Sequence, residues 1–179
     1  SKRHLMVGEG GTDKIKAFPP HDISGKEVSP YLPEGNGSNV LIELTNRAQE
    51  LLKDNPINKM ANSIWLWGQG RRPKLTPFKK RFGLRGSVIS AVDLVKGIGI
   101  YAGLEPIKVP GATGYLDTNF KGKAEYALRA LEKKDFIYIH VEAPDEAAHL
   151  GDIKAKIKAI EDFDDKVVGT ILRGLKKFR

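Results

Sequence analysis

Residues 135–149, DFIYIHVEAPDEAAH, decide the fold, because they change from a strand pattern to a helix pattern within a few positions. The apolar run favours a buried β-strand, and Pro144 is typical of the first turn of a helix. Residues four apart share one face of a helix, so Asp145 and His149 would lie side by side. The stretch therefore predicts a strand whose carboxyl end presents a carboxylate and an imidazole.

The segments on either side continue this alternation of strands and helices. Apolar runs predict strands in HLMV (4–7), NSIWLW (62–67), EPIKVP (105–110) and FIYIHVEA (136–143), with a loop from Gly68 to Pro73 after the second. Helical spacing predicts helices in residues 38–56, 87–103, 120–134 and 151–178, with Ser38 or Asn39 as the first N-cap and Asp117 or Thr118 as the third. The predicted fold class is α/β, with mostly parallel strands, right-handed crossovers and flanking helices.

The composition indicates the cellular compartment and excludes some kinds of site. The chain has 179 residues, 40% of them hydrophobic, which is enough for one domain or for a domain with a smaller part. The sequence has no cysteine, which excludes disulfides and thiolate metal sites and favours a reducing compartment. No apolar run approaches the roughly 20 residues of a membrane span, and no signal-peptide pattern opens the sequence. We expect a cytoplasmic protein without membrane contact.

The positive charge leaves several partners open. Lys and Arg together number 30 against 22 Asp and Glu, giving a net charge of +8. Such a balance suits nucleic acid, an anionic metabolite or an ordinary solvated surface. The basic residues are scattered and the aromatic residues near them do not repeat at the spacing of a base-stacking platform, so a dedicated nucleic-acid module is less favoured than an ordinary solvated surface. The oligomeric state stays open.

Asp145 and His149 are the candidate metal ligands. In an open α/β sheet, ligands bind at the carboxyl ends of the strands, where these two residues are predicted to lie. A carboxylate oxygen with an imidazole nitrogen suits Mn²⁺, Zn²⁺, Co²⁺ or, less well, Mg²⁺. The alternative is an acidic first turn favoured by the helix dipole, with a surface histidine one turn later. His140 alternates with apolar residues and is expected to be a hydrogen-bonded core histidine.

Five blocks resemble a known enzyme family. In order they are PPHDISGK (19–26), NSIWLWGQG (62–70), SVISAVDLVKGIGIYAGL (87–104), VPGATGYLDTN (109–119) and FIYIHVEAPDEAAHLGD (136–152). They are similar to the archaeal-type branch of the cofactor-independent phosphoglycerate mutases, in the alkaline phosphatase superfamily. The resemblance implies an alkaline-phosphatase-like core and an inserted α+β domain. It also implies interconversion of 3- and 2-phosphoglycerate through a phosphoserine, with two divalent ions, usually Mn²⁺.

The resemblance also implies which residues bind metal and which domain each part of the chain belongs to. Asp145 and His149 match the family's D-x-x-x-H, which binds one of the ions, although Ala148 stands where family members tend to have glycine. The family's nucleophilic serine and its other metal ligands have no match in these residues. We therefore expect a central fragment that is inactive alone. Residues 1–60 would belong to the inserted substrate-binding domain, and residues 61–179 to the metal-binding catalytic core.

The candidate substrate-binding residues are cationic or hydrogen-bonding groups that suit the carboxylate and phosphate of phosphoglycerate. The resemblance favours Arg3, His4, His21 and Asp22, in the part similar to the inserted domain. Arg71 and Arg72 follow the glycine-containing loop of residues 68–70, and a solvated surface charge is the alternative for each arginine.

Two other functions stay open at this point. One is a metal-dependent phosphatase or another phosphotransferase on the same scaffold, because a fold does not determine its reaction. The other, of a different class, is a basic non-catalytic binding domain, which predicts salt-sensitive binding and indifference to His149→Ala.

Overall fold

The computed structural model describes residues 4–9, 14–53 and 61–178. The chain forms two compact units, Ser1–Arg72 and Pro73–Arg179. The division falls later than the boundary expected at residue 60, so residues 61–72 lie with the first unit. Whether the two parts correspond to a substrate-binding domain and a catalytic core stays a prediction.

The first unit contains helix α1, Ser38–Leu52, which confirms the predicted helix. Its N-cap is Gly37, with φ 88°, rather than a side chain of Ser38 or Asn39. Short 3-10 turns lie at Pro20–Ile23 and Ser29–Tyr31. An antiparallel bridge joins Lys16 to Glu34, whose backbone N–H groups each donate to the other's carbonyl at 2.9 and 3.0 Å.

The strands predicted at residues 4–7 and 62–67 are wrong, because the backbone there is irregular. In the later segment the side chains make the contacts instead. The indole Nε1 of Trp65 donates to the carbonyl of Phe18 at 2.7 Å, and the Gln69 amide donates to the carbonyl of Ile15. An apolar run becomes a strand only where another strand pairs with its backbone, and that partner is not encoded locally.

The second unit contains a three-stranded sheet. Its strands are β1, Gly86–Ile89, β2, Glu105–Pro106, and β3, Phe136–Ile139. The order is β2-β1-β3 and both pairings are parallel, which confirms the predicted α/β fold class. All four residues of β1 are buried, as expected for the central strand of a parallel sheet.

Strand β1 corrects the sequence analysis, which assigned its residues to the start of a helix. Residues 87–103 are apolar on most positions, and periodicity alone cannot separate a buried strand from a buried helix. The strand ends where the hydroxyl oxygen of Ser90 accepts the N–H of Val92 at 2.9 Å. Helix α3 then begins at Asp93 and packs against β1, with Gly99 facing Val88.

In chain order, the helices of the second unit come before, between and after these strands. They are α2 Phe78–Phe82, α3 Asp93–Tyr101, α4 Phe120–Leu131, α5 Ala143–His149, α6 Ile153–Asp162, a π-helical segment Phe163–Gly169, α7 Thr170–Leu175 and a 3-10 turn Lys176–Phe178. The predicted helix 151–178 is thus confirmed in outline, with a π-helical segment inside it. The cap of α4 is Asn119, not Asp117 or Thr118, since its side chain accepts the N–H of Gly122 at 2.8 Å.

Helix α4 holds the core of the second unit together. Phe120 and Ala124 pack with Ala143, at the start of α5, and with Val167. Ala127, one turn later, packs with Ile89 and Val109. Since Ala143 is fully buried against α4, the first turn of α5 has a defined position relative to the sheet.

None of the described helices is long and apolar enough to cross a membrane.

Candidate metal site

The connection from β3 to α5 positions the candidate ligands. The N–H of His140 donates to the carbonyl of Ile89 at 2.8 Å, so β3 stays in register with β1 for one residue beyond its end. The carbonyl of Glu142 then accepts the N–H groups of Asp145 and Glu146 at 2.8 and 3.0 Å, which begins α5. Strand, turn and helix therefore follow one another as the sequence predicts.

Asp145 and His149 lie on the exposed face of α5. Oδ2 of Asp145 is 3.2 Å from Nε2 of His149, and their side chains are 66% and 73% exposed. The opposite face of the helix buries Ala143 and Ala147. A carboxylate oxygen and an imidazole nitrogen this close are a donor set that fits one divalent ion.

This pair provides two ligands and not a complete site. Among the residues that the structure describes, no group of three or more His, Asp and Glu side chains could hold a metal ion. An exposed pair four residues apart is also the geometry of an ordinary ion pair on a helix. The structure brings the two predicted side chains together, and their role as ligands is a proposal.

A polar cluster beside α5 was missed by the sequence analysis. Lys123 of α4 is fully buried, and its ammonium donates to the carbonyl oxygens of Thr113 and His140, both at 3.4 Å. Burial lowers the pKa of Lys123 from its ordinary value of 10.5, and the negative charge of Glu142 opposes that change. The helical spacing held a signal, since Lys123 shares the buried face of Phe120, Ala124 and Ala127.

The loop of residues 109–119 is held in shape by its own polar groups. The hydroxyl of Thr113 donates to Oδ1 of Asp117 at 2.7 Å, and the N–H of Thr113 donates to Oγ1 of Thr118 at 3.0 Å. The loop also lies against the β3–α5 connection, because a Cβ placed on Gly114 would be 3.4 Å from Oε2 of Glu142.

His140 is half-buried, and its Nδ1 lies 3.4 Å from Oγ of Ser90. Ser90 follows β1 and His140 follows β3, so both polar groups lie at the carboxyl edge of the sheet. This is the hydrogen-bonded histidine that the alternation with apolar residues predicts.

The candidate substrate-binding residues lie in the first unit. His21 is on the 3-10 turn, with Nε2 3.7 Å from Oδ1 of Asp22 and its ring edge-on to Trp67 at 5.5 Å between centroids. His4, Arg71 and Arg72 are exposed on irregular backbone. The structure brings His21 and Asp22 together, while Arg3 lies outside the described residues.

Comparisons with known proteins agree on one family. A family model described as the metalloenzyme superfamily matches residues 12–178. A probable 2,3-bisphosphoglycerate-independent phosphoglycerate mutase of Geobacter sulfurreducens is 54% identical over 184 residues, 98% of this chain and 46% of that protein. The 2,3-bisphosphoglycerate-independent phosphoglycerate mutase of Methanothrix thermoacetophila is 52% identical, over 99% of this chain and 47% of its own length. The chain thus spans about half the length of the curated relatives it matches.

Solved structures give the same result for the fold. A Pyrococcus horikoshii protein superposes with a TM-score of 0.65 at 32% identity, over 76% of this chain and 38% of that one. The cofactor-independent phosphoglycerate mutase of Thermoplasma acidophilum superposes with a TM-score of 0.54, over 96% of this chain and 45% of that one. Its sequence identity is 19%, so this second likeness concerns the fold alone.

Proposed function

This chain belongs to the metalloenzyme superfamily, and we propose that the complete protein interconverts 3-phosphoglycerate and 2-phosphoglycerate. The observation that carries the proposal is the 54% identity to a protein named as a probable phosphoglycerate mutase, over 98% of this chain. The Asp145–His149 pair supports it, because a phosphoryl-transfer enzyme of this superfamily needs ligands for divalent ions at the carboxyl edge of its sheet.

Asp145 and His149 would hold one divalent ion, with further ligands from residues outside this chain. A bound divalent ion offsets the negative charge that a phosphoryl group carries during transfer. Manganese is the proposed metal and two ions the proposed number, with Zn²⁺, Co²⁺ or Mg²⁺ as alternatives. Burial of Ala143 and Ala147 fixes the opposite face of α5 in the core, which gives both side chains a defined position on the helix.

The first unit would bind the glycerate part of the substrate. His4, His21, Asp22, Arg71 and Arg72 are exposed and polar, and Arg3 adds a further cation in the sequence. Guanidinium groups match carboxylate and phosphate oxygens in pairs, which suits a substrate that has both groups. In this proposal they hold glycerate while the phosphoryl group passes to a serine that lies outside these residues and then returns to the other hydroxyl.

The cytoplasm is the proposed location, in keeping with a cysteine-free sequence. The proposed partner is the phosphoglycerate itself, with no nucleic acid and no membrane.

The experiment is a coupled assay for 2-phosphoglycerate, made from 3-phosphoglycerate by the complete protein. It is run with Mn²⁺, with a chelator, and with the variants His149→Ala and Leu150→Ala. Leu150 is the matched control, because it is the next residue and its side chain is 70% exposed. We expect turnover that needs the metal, is lost in His149→Ala and is kept in Leu150→Ala.

Two results would contradict the proposal. Release of inorganic phosphate without 2-phosphoglycerate would identify a phosphatase instead. Turnover that survives both the chelator and His149→Ala would show that Asp145 and His149 are ordinary surface residues of α5 and not metal ligands.

A further inference from the structure

We propose that Lys123 is a positioning residue for the candidate metal site on α5, a role that rests on the function proposed above. Its buried ammonium joins three parts of the second unit: α4, the loop of residues 109–119 and the connection from β3 to α5. Asp145 and His149 follow directly from that connection.

The burial of Lys123 is the first observation. Its exposed fraction is 0%, and it is the one charged residue in the buried set of the described chain. Removing an ammonium from water is unfavourable unless it is paired and hydrogen-bonded, so burial also lowers the pKa of this lysine. An apolar side chain of the same length would fill this position without the cost of removing a charge from water. Packing alone therefore does not explain a lysine here.

The partners of the ammonium are the second observation. The carbonyl of Thr113 belongs to the loop of residues 109–119, and the carbonyl of His140 belongs to the end of β3. Each carbonyl oxygen lies 3.4 Å from Nζ, at the long end of hydrogen-bonding distances. The negative charge of Glu142 also attracts the ammonium and favours its charged form. One cation thus lies within reach of carbonyl oxygens from two segments that are 27 residues apart in the chain, at Thr113 and at His140.

The short path to the candidate ligands is the third observation. Only Val141 separates His140 from Glu142, whose carbonyl accepts the N–H groups of Asp145 and Glu146. Without the ammonium, the carbonyl of His140 and the carboxylate of Glu142 lose their common partner. The first turn of α5 would then move, and with it the carboxylate of Asp145. Groups that orient metal ligands without touching the ion commonly change affinity by about tenfold to a hundredfold.

A purely structural lysine is the competing explanation, and the two differ in a measurable way. A structural lysine changes the thermal midpoint and leaves the metal affinity of the folded protein unchanged. A positioning lysine lowers the metal affinity at temperatures where the variant is fully folded.

The test is a titration of the complete protein with Mn²⁺ alone, without substrate. Free Mn²⁺ is followed by its electron paramagnetic resonance signal, at a temperature where circular dichroism shows every variant folded. The variants are Lys123→Met, which keeps the length of the apolar stem, and Lys121→Met as the matched control. Lys121 is on the same helix with 69% of its side chain exposed, in an ion pair with Glu125 at 3.6 Å.

We expect Lys123→Met to weaken Mn²⁺ binding by about tenfold or more, and Lys121→Met to bind as the wild type does. If Lys123→Met does not fold, Lys123→Gln takes its place, because an amide N–H still donates to one carbonyl. Wild-type affinity in whichever of these variants folds would overturn the proposal. Loss of folding in both would also overturn it, because the lysine would then be structural.

The titration separates this inference from the proposed function. A wild-type protein that binds no Mn²⁺ would contradict the metal site itself, and with it the mutase proposal. Wild-type binding with an unchanged affinity in Lys123→Met would remove only the role of Lys123.

Discussion

Oδ2 of Asp145 lies 3.2 Å from Nε2 of His149, one turn apart on a helix whose other face is buried. Both side chains are exposed, so neither is required by the core. Their closeness follows from helical geometry, and their place at the edge of the sheet follows from the strand before them. Substitution of Asp145 distinguishes a metal-binding pair from an ordinary surface pair, and substitutions in the sheet and its helices test the packing that positions the pair.

Asp145→Asn in the complete protein is expected to weaken Mn²⁺ binding by at least tenfold, because an amide oxygen replaces a charged ligand. The stability of the metal-free protein should fall by no more than about 1 kcal/mol, the size of a helix-dipole contribution at an exposed first turn. Calorimetric titration with Mn²⁺ and thermal unfolding in chelator measure the two effects. Glu146→Gln, in the same turn, is the control, and equal losses of affinity in both variants would count against a specific ligand.

Residues 1–179 alone are expected to produce no 2-phosphoglycerate from 3-phosphoglycerate. In the described residues Asp145 and His149 lie without a third ligand close by. The family resemblance predicts that the nucleophilic serine lies outside these residues. The coupled assay is run with saturating Mn²⁺, beside the complete protein at the same molar concentration. Measurable turnover by residues 1–179 would disprove the fragment interpretation.

Gly99→Ala is expected to destabilise the protein by about 1–3 kcal/mol through overpacking. A Cβ at this position would lie 2.6 Å from Cγ1 of Val88, on the central strand. Gly97→Ala in the same helix is the matched control, since nothing lies within 4 Å of its Cβ. It should stabilise α3 by about 0.5–1 kcal/mol, because alanine loses less backbone entropy than glycine. Chemical unfolding of both variants checks the pair, and equal effects would contradict the packing of α3 on β1.

Asp135→Asn is expected to lower stability at neutral pH and to matter less in acid. The backbone N–H of Arg85 donates to Oδ2 of Asp135 at 2.8 Å, which joins the starts of β1 and β3. This hydrogen bond, with the Arg85 side chain, holds the pKa of Asp135 below its ordinary value of 3.8. A lowered carboxyl pKa stabilises the folded state above the ordinary value, and the contribution is lost as pH falls through the lowered value.

Urea unfolding of the Asp135→Asn protein between pH 7 and pH 2.5 measures this change. The difference in midpoint from the wild type should be largest at pH 7 and should shrink below about pH 3.8. Asp164→Asn, at an exposed carboxylate of the π-helical segment, is the control. A difference in midpoint for Asp135→Asn that is independent of pH would show that the carboxylate charge has no part in it.

The candidate site was partly predictable from local sequence. Asp145 and His149 could be found because their juxtaposition depends only on helical spacing and on Pro144 in the first turn. Lys123 shares a helical face with apolar residues, which is a weak signal. Its partners lie 10 and 17 residues away, and no local pattern brings them together.

The sequence alone determined the elements whose signals are local. Helices α1 and α4 have long amphipathic patterns, and α5 has its proline, so their existence followed from the spacing of residues. The tertiary structure alone decided which apolar runs became strands. Residues 86–89 formed the central strand because β2 and β3 pair with it on both sides, whereas residues 62–67 packed through Trp65 and stayed irregular. The physical reason is that a helix satisfies its backbone hydrogen bonds internally, while a strand needs partners that are distant in the chain.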